Sequence, residues 1–203
     1  MTRERGQRLL VNAALVVLFT TFAYANFLRW LETGHPVGLG AVCVEGMTAL
    51  LFIVRSPSRE TSRRTLAWLS APVGAFAMLL ARPVAHPDVG PLGLFEVLQL
   101  GGLVIALVGL GFLGRSFGVV AAIRRVKTSG VYGLVRHPIY AAYLLSYTGY
   151  VLENVSLRNV ALLALSTAGQ LVRIAEEERV LVGDPDYRAY RRRVRYRLIP
   201  FVY

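Results

Sequence analysis

A histidine followed by a proline stands at the predicted start of a helix, where it could bind an anionic group. The sequence there reads Val-Arg-His-Pro-Ile-Tyr over residues 135–140. Pro138 fits the first turn of a helix, where its missing N–H needs no partner, so His137 is predicted at or near the cap. Free backbone N–H groups and the positive end of the helix dipole at such a start favour a carboxylate. An interfacial anchor built from Arg136, His137 and Tyr140 explains the same residues as well.

A second polar set lies where the following helix returns to the same side. Arg173 and Glu177 are four residues apart and share a helix face, whereas Glu178 falls on an apolar stripe and is predicted to be partly buried. At ~1.5 Å per residue from Leu157, Arg173 lies about 24 Å along this helix and level with His137. Taken alone, these residues also fit an ordinary charged helix end.

A basic, aromatic tail follows that helix. It contains tyrosines and arginines from Tyr187 to Arg197 and closes on Ile199-Pro200-Phe201. Such a tail suits the surface of an anionic leaflet, where each basic residue contributes ~1 kcal/mol, and it could also fold over the polar site as a lid. The chain's net charge of +11 is spread in short runs between apolar segments, so we expect membrane lipid as a partner and no nucleic acid.

The elements that position these residues are predicted to be membrane helices. Of 203 residues, 55% are apolar and 17% are charged, compared with ~25% charged in soluble domains, and the mean hydropathy is +0.50. Six apolar runs can each cross, or with tilt nearly cross, a ~30 Å hydrocarbon layer. They cover residues 9–31, 37–54, 66–81, 92–113, 132–152 and 157–172.

We therefore predict an all-α integral membrane protein with about six transmembrane helices. Four would lie in residues 1–113, and residues 114–203 would form a catalytic region with a C-terminal helical hairpin and the basic tail. Basic residues near helix ends stay in the cytosol. Six spans with both termini inside place 20 of the 23 Lys and Arg residues there, and leave only Arg29, Arg82 and Arg158 outside.

Two acids interrupt the apolar runs of the first four helices. Glu45 lies near the middle of its run and is either functional or a buried, hydrogen-bonded structural acid. Glu96 is close to a helix end, which favours an interfacial position. His35 and His86 each precede proline in predicted outer loops, which favours solvated turns.

Five elements of the C-terminal region together resemble the isoprenylcysteine carboxyl methyltransferase family, in a bacterial-type form related to the phospholipid N-methyltransferases. The first four helices resemble this family only in being hydrophobic. The elements are, in order, Gly130-Val131-Tyr132, Arg136-His137-Pro138-Ile139-Tyr140, Arg173-Ile174 with Glu177-Glu178 and Leu181, Tyr187 with Tyr190, and Ile199-Pro200-Phe201.

The resemblance implies methyl transfer from S-adenosylmethionine in a pocket that opens to the cytosolic face of a cell membrane. In-line displacement at a sulfonium needs no metal, so none is expected. The implied acceptor is lipophilic or small: a prenylcysteine-like carboxylate, a thiol, an amine or a lipid. Arg173 and Glu177 would be the catalytic residues. The implied cofactor-binding residues are Gly130, Tyr132, His137, Pro138, Tyr140, Glu177 and Glu178.

Two departures from the family pattern and two alternatives accompany this prediction. Ala142 stands where the family usually has glycine, and three consecutive acids, Glu176 to Glu178, leave the register of the acidic pair open by one residue. One alternative is a membrane sterol-type reductase that uses NADPH. The other is a scaffold or transporter, whose functional polar groups would lie at mid-membrane, as Glu45 does.

Overall fold

The structure is a computed structural model that describes residues 2–57, 60–62, 64–84, 93–118, 122–123 and 126–203. The described part contains seven α-helices, three short 3-10 helices and one pair of two-residue strands. The α-helices are α1 (Thr2–Thr33), α2 (Pro36–Val54), α3 (Thr65–Phe76), α4 (Leu94–Leu113), α5 (Pro138–Glu153), α6 (Leu157–Leu181) and α7 (Pro185–Arg193). The 3-10 helices are η1 (Ala77–Leu80), η2 (Gly114–Ser116) and η3 (Gly130–Gly133), and β1 (Glu60–Thr61) pairs antiparallel with β2 (Ala122–Ile123).

The predicted all-α membrane fold is confirmed, and the six predicted runs correspond to α1 through α6. Three helical segments are long and apolar enough to cross a membrane: Leu9–Thr33, Pro36–Val54 and Leu94–Ser116. The apolar helix Thr65–Leu80 is shorter, and α5 has 16 residues. The total of six spans and the inward orientation of both termini stay predictions.

The distribution of polar and apolar side chains is that of a membrane protein. Large apolar side chains such as Leu10 and Val17 are exposed on the outside of the bundle. Asn159, Ser166 and Thr48 are buried inside it. This arrangement keeps hydrogen-bonding groups away from lipid, where they would have no partners.

Glycines allow the helices to pack closely. A Cβ atom on Gly102 of α4 would lie 2.5 Å from the Ala142 carbonyl oxygen of α5, and one on Gly169 of α6 would lie 2.7 Å from the Gly74 nitrogen of α3. Small residues at such positions let membrane helices approach each other. Ala142, which replaces the family's usual glycine, is itself buried in the core, because Gly102 provides the space from the opposite helix.

The turn between α5 and α6 is held by two asparagines. Asn159 donates to the Asn154 carbonyl oxygen at 2.7 Å and to the Arg82 carbonyl oxygen at 2.8 Å. The Asn154 side chain accepts from the Val84 backbone N–H at 2.9 Å. This network ties the hairpin turn to the segment after η1, so that α5 and α6 run antiparallel with a fixed offset.

The side chains of Glu96 and His35 contact each other at the end of the bundle opposite the α5 start. His35 Nδ1 lies 2.9 Å from Glu96 Oε1, and the Gly93 N–H donates to Glu96 Oε2 at 2.8 Å, which caps the start of α4. Glu96 therefore lies at a helix end, as its position in the sequence indicated. His35 lies in the turn before α2, as expected, and its partly exposed imidazole contacts this buried acid. His86 lies outside the described residues.

Candidate active site

A cavity of about 1070 Å³ runs through the helix bundle. Near the start of α5 its wall includes Tyr132, His137 and Tyr140, and from α6 it includes Arg173 and Glu177. Because α5 begins where the charged part of α6 ends, their polar residues meet at one end of this cavity. The sequence prediction that His137 lies level with the acids of α6 is confirmed by this arrangement.

Glu177 is the residue on which the other polar side chains converge. Its Oε1 atom accepts hydrogen bonds from the Tyr140 hydroxyl and, at 3.2 Å, from Arg173 Nε. His137 Nδ1 lies 3.9 Å from the other oxygen, Oε2. Since that separation exceeds a hydrogen bond, Oε2 keeps acceptor capacity toward the cavity.

Arg173 is held on three sides and is buried. Its guanidinium carbon lies 5.0 Å from the Tyr140 ring centroid, and its Nη2 atom donates to the Gly118 carbonyl oxygen at 3.2 Å. The ion pair with Glu177 supplies the third contact. This cation–π and ion-pair geometry orients the guanidinium at the wall of the cavity.

Glu178, next along α6, lies behind the cavity wall and contacts basic groups. Its Oε1 atom lies 2.7 Å from Arg136 Nε and 3.3 Å from His137 Nε2, and its Oε2 atom lies 2.9 Å from Arg197 Nη2. Burial of this carboxyl opposes ionisation, but hydrogen bonds from His137, Arg136 and Arg197 outweigh it, so the pKa of Glu178 is lowered. A charged Glu178 therefore fixes the back of the imidazole.

The structure gives each of the three consecutive acids a separate direction. Glu176 is buried and pairs with Arg64 at 2.8 Å, at the residue that precedes α3. Glu177 faces the cavity, and Glu178 faces the C-terminal tail. The register left open by the sequence is thus resolved in favour of Glu177 and Glu178 as the pair beside His137.

The C-terminal tail folds over the start of α5. The backbone N–H groups of Arg136 and His137 donate to the carbonyl oxygens of Tyr196 and Arg197, at 2.9 and 2.8 Å. That the tail acts as a lid over the site stays a prediction. The N–H groups of Arg136 and His137, which precede the first helical residue Pro138, are occupied by the tail and are not open to an anion.

Tyrosines of α7 complete the closure beside the cavity. The Tyr190 hydroxyl donates to the Tyr132 carbonyl oxygen at 2.7 Å. Tyr187 is buried, and burial raises the pKa of its hydroxyl. That hydroxyl lies near Glu178 but forms no hydrogen bond of normal geometry within the described residues. Tyr187 contributes to the cavity wall, but its hydroxyl is fully buried.

Gly130 and Pro138 take part in the geometry of the α5 start. Pro138 is the first residue of α5, with His137 at the cap, as predicted, and it lines the cavity. Gly130 has a φ of 62°, and a Cβ on it would lie 2.3 Å from the Phe112 ring. It lies off the cavity wall. Its role in cofactor binding stays a prediction, and its observed contribution is the turn that places Tyr132.

Sequence reasoning missed a row of tyrosines along α5. Tyr140, Tyr143, Tyr147 and Tyr150 all line the cavity. Their spacing of three, four and three residues places them on one helix face, and this spacing could have been read from the sequence. Arg197 was also missed as a partner of Glu178, because no spacing rule connects residues from different elements.

Comparison with known families matches this region of the chain. Residues 98–183 match the phospholipid methyltransferase family. The matched segment begins within α4 and ends just after α6, so it contains His137, Tyr140, Arg173, Glu177 and Glu178. A comparison with curated proteins found no match. Residues 98–183 are therefore similar to a phospholipid methyltransferase domain, which agrees with the resemblance that the sequence motifs indicated.

Proposed function

We propose that this protein transfers a methyl group from S-adenosylmethionine to a lipophilic or small acceptor, in the chamber between the start of α5 and the end of α6. The observation that carries the proposal is the convergence of Tyr140, Arg173 and His137 on the Glu177 carboxylate at the wall of a large cavity. We place the chamber on the cytosolic side of a cell membrane. Basic residues cluster at the end of the α5–α6 hairpin that contains the chamber, and basic residues near helix ends stay in the cytosol.

The groups on the cavity wall fit this cofactor. S-adenosylmethionine presents an ammonium group and ribose hydroxyls, which need acceptors, and a sulfonium, which aromatic faces attract. Glu177 Oε2 offers an acceptor. Tyr132 and Tyr140 supply aromatic surface. His137 and Pro138 would shape the floor, with Gly130 setting the turn above it.

Glu178 supports this pocket from behind in the proposal. Its contacts with Arg136, Arg197 and His137 Nε2 leave the Nδ1 side of the imidazole toward Glu177. The Glu178 carboxylate beside Nε2 thereby fixes the orientation of the ring. Glu178 would then act on the cofactor through His137.

The bound cofactor supplies an electrophilic methyl group, whose carbon–sulfur bond breaks as the acceptor forms its bond to carbon, leaving a neutral thioether. The residues of the chain orient the acceptor and exclude water. Arg173 would hold an anionic acceptor through charge-assisted hydrogen bonds. A hydroxyl or thiol acceptor would also lose its proton in the transfer, and Glu177, on the cavity wall, is a carboxylate that could take it.

A lipophilic acceptor fits the position of the cavity. Beyond Tyr140 the cavity continues between α1, α2, α4 and α5, and the first three of these helices carry the segments long and apolar enough to cross a membrane. A soluble cofactor could enter from the basic end while a lipid-like molecule enters from the bilayer. The family matched by residues 98–183 supports a membrane lipid as the acceptor class.

Calorimetric titration of the full-length protein in lipid nanodiscs tests the cofactor. We expect S-adenosylhomocysteine to bind and NADPH not to bind. His137→Ala and Glu177→Gln should each weaken S-adenosylhomocysteine by at least tenfold, whereas the exposed Glu32→Gln on α1 should not. Binding of NADPH alone would contradict the proposal and support the reductase alternative. Absence of binding by both ligands would support a scaffold or transporter.

A labelling experiment tests the acceptor. Membranes that contain the protein are incubated with S-adenosylmethionine labelled on its methyl group, and the labelled products are separated into lipids, proteins and small molecules. We expect a labelled lipophilic product that disappears in Arg173→Ala. Label that appears equally in membranes lacking the protein would contradict the proposal.

A further inference from the structure

Glu45 places a carboxylate at the centre of a membrane helix and at the wall of the cavity. It is nine residues from each end of α2, which is one of the three helices that can cross a membrane. Asn26 Nδ2 of α1 lies 3.1 and 3.0 Å from its two oxygens. Both side chains line the cavity, so the carboxylate faces internal space and not lipid.

The hydrogen-bonding capacity of Glu45 exceeds what this partner supplies. A carboxylate offers about four acceptor positions, and one amide group can fill at most two of them. An acid at the bilayer centre costs at least ~2.5 kcal/mol, and an apolar residue of similar size would avoid that cost. An acid kept at such a depth with open capacity toward a cavity indicates a ligand that donates hydrogen bonds.

The tyrosine face of α5 connects Glu45 to the methyl-transfer chamber. Tyr143 and Tyr147 stack with ring centroids 5.8 Å apart and planes inclined by 11°. Both rings line the same cavity as Glu45 and lie close enough to its carboxylate for an electrostatic interaction. Tyr140, at the chamber, precedes Tyr147 by seven residues, or about 10 Å along the helix.

We propose that Glu45 and Asn26 form a second binding subsite for the methyl acceptor, which is an elongated molecule with a hydrogen-bond-donating amine or hydroxyl about 10 Å from the methylated atom. The flat tyrosine rings contact the chain between the two polar ends. This inference rests on the proposed function for the identity of the chamber. It adds a requirement on the acceptor, because a purely apolar chain would bury Glu45 without satisfying it.

Bifunctional alcohols test the subsite without knowledge of the natural acceptor. Protein in nanodiscs is titrated calorimetrically with 1,8-octanediol, 1,4-butanediol and 1-octanol, and empty nanodiscs give the background. Only the longer diol can reach both Glu45 and the chamber, so we expect it to bind at least tenfold more tightly than either other probe. Equal affinity for the three probes, after allowance for partitioning into lipid, would overturn the proposal.

Variants assign the effect to Glu45. Glu45→Ala should remove the preference for 1,8-octanediol, and Glu32→Gln should preserve it. Glu45→Gln should keep affinity for the diol but lose at least tenfold for 1,8-diaminooctane, if the parent binds the ammonium through charge. A preference for the diol that persists in Glu45→Ala would refute the assignment. If Glu45→Ala does not fold, the proposal is judged on two results: the dependence of the parent's affinity on diol length, and the affinities of Glu45→Gln for the diol and the diamine.

Two further measurements separate this inference from a structural role and from the proposed function. Glu45 pairs with a neutral amide, so Glu45→Gln leaves no counter-ion unpaired and removes the cost of an acid in the membrane; it should unfold at the same temperature as the parent or higher. A large loss of stability together with unchanged probe binding would show a structural acid. Titration with S-adenosylhomocysteine is scored separately, so loss of cofactor binding in the parent would count against the proposed function alone.

Discussion

Arg136 Nε lies 2.7 Å from Glu178 Oε1, and both side chains are 4% exposed. This pair joins the start of α5 to the end of α6. Arg136 also donates to the carbonyl oxygens of Val194 and Arg195, at 2.9 and 2.5 Å, so the same guanidinium binds the tail. The pair therefore connects the two walls of the candidate site with the segment that covers them.

Replacement of Glu178 should destabilise the protein and alter its response to acid. Glu178→Gln leaves the buried Arg136 without its counter-ion, and removal of one partner from such a pair costs about 3–5 kcal/mol. The pKa of Glu178 is lowered from 4.5 in the folded state. Its contribution to stability is present above the unfolded value and is lost as pH falls below it.

Thermal unfolding from pH 7 to pH 3 measures this effect. The parent should lose stability as the pH falls below about 4.5, and the Glu178→Gln variant should be less stable at pH 7 but show a smaller acid-dependent loss. The exposed Asp186→Asn on α7 serves as the matched control. Parallel pH curves for Glu178→Gln and the parent would contradict the role of the ion pair.

Removal of the tail should impair cofactor binding. A chain that ends at Val194 loses Arg197, which pairs with Glu178, and the carbonyl oxygens that accept from the Arg136 and His137 N–H groups. We expect S-adenosylhomocysteine affinity to fall at least tenfold while the number of helical residues measured by circular dichroism stays the same, because α7 ends at Arg193. A higher affinity would contradict this prediction. It would mean that the tail keeps the Arg136 and His137 N–H groups from binding the cofactor's carboxylate.

The alignment of α5 with α6 could be predicted from sequence because it depends on local rules. The position of Pro138 fixes the start of one helix, and a rise of ~1.5 Å per residue brings Arg173 to the same level. The contacts Arg136–Glu178 and Asn26–Glu45 could not be predicted in this way. Each joins residues from elements whose mutual rotation is set by packing, and no spacing in the sequence encodes that rotation.

We expect even a methyl group at Gly102 to disturb the packing of α4 against α5 and to lower stability. In Gly102→Ala the added methyl would lie 2.5 Å from the Ala142 carbonyl oxygen and 2.7 Å from Ser146 Cβ, so α4 and α5 must separate. Overpacking of this kind costs about 1–3 kcal/mol. Gly111→Ala on the same helix is the control, since nothing lies within 4 Å of its added methyl. Unfolding in mixed micelles should distinguish the two; equal midpoints would contradict the close contact.

We expect Gly130→Ala to lower stability and cofactor affinity, and removal of the Phe112 ring to restore only part of the loss. Gly130→Ala suffers a clash at 2.3 Å with Phe112 and a left-handed backbone with a φ of 62°. Phe112→Ala removes the clash but leaves a backbone cost of about 1–2 kcal/mol. We expect the double variant to regain part of the stability and cofactor affinity lost in Gly130→Ala. Full recovery would show that the backbone conformation matters little.

We expect substitution of Arg173 to reduce methyl transfer much more than cofactor affinity. Arg173 contacts Glu177, the Tyr140 face and the Gly118 carbonyl oxygen, which places its charge at the acceptor side of the proposed chamber. Arg173→Lys keeps the charge but loses the planar fork that makes these contacts together.

We expect methyl incorporation in the labelled-membrane assay to fall at least 100-fold in Arg173→Ala and at least tenfold in Arg173→Lys, a loss in the range of general acid–base groups. S-adenosylhomocysteine affinity should change by less than a factor of about three in Arg173→Lys, because Glu177 and His137 remain in place. The prediction is contradicted if a variant binds the cofactor poorly and its methyl-transfer rate falls only in proportion to the fraction of protein with cofactor bound. Arg173 would then contact the cofactor and not the acceptor.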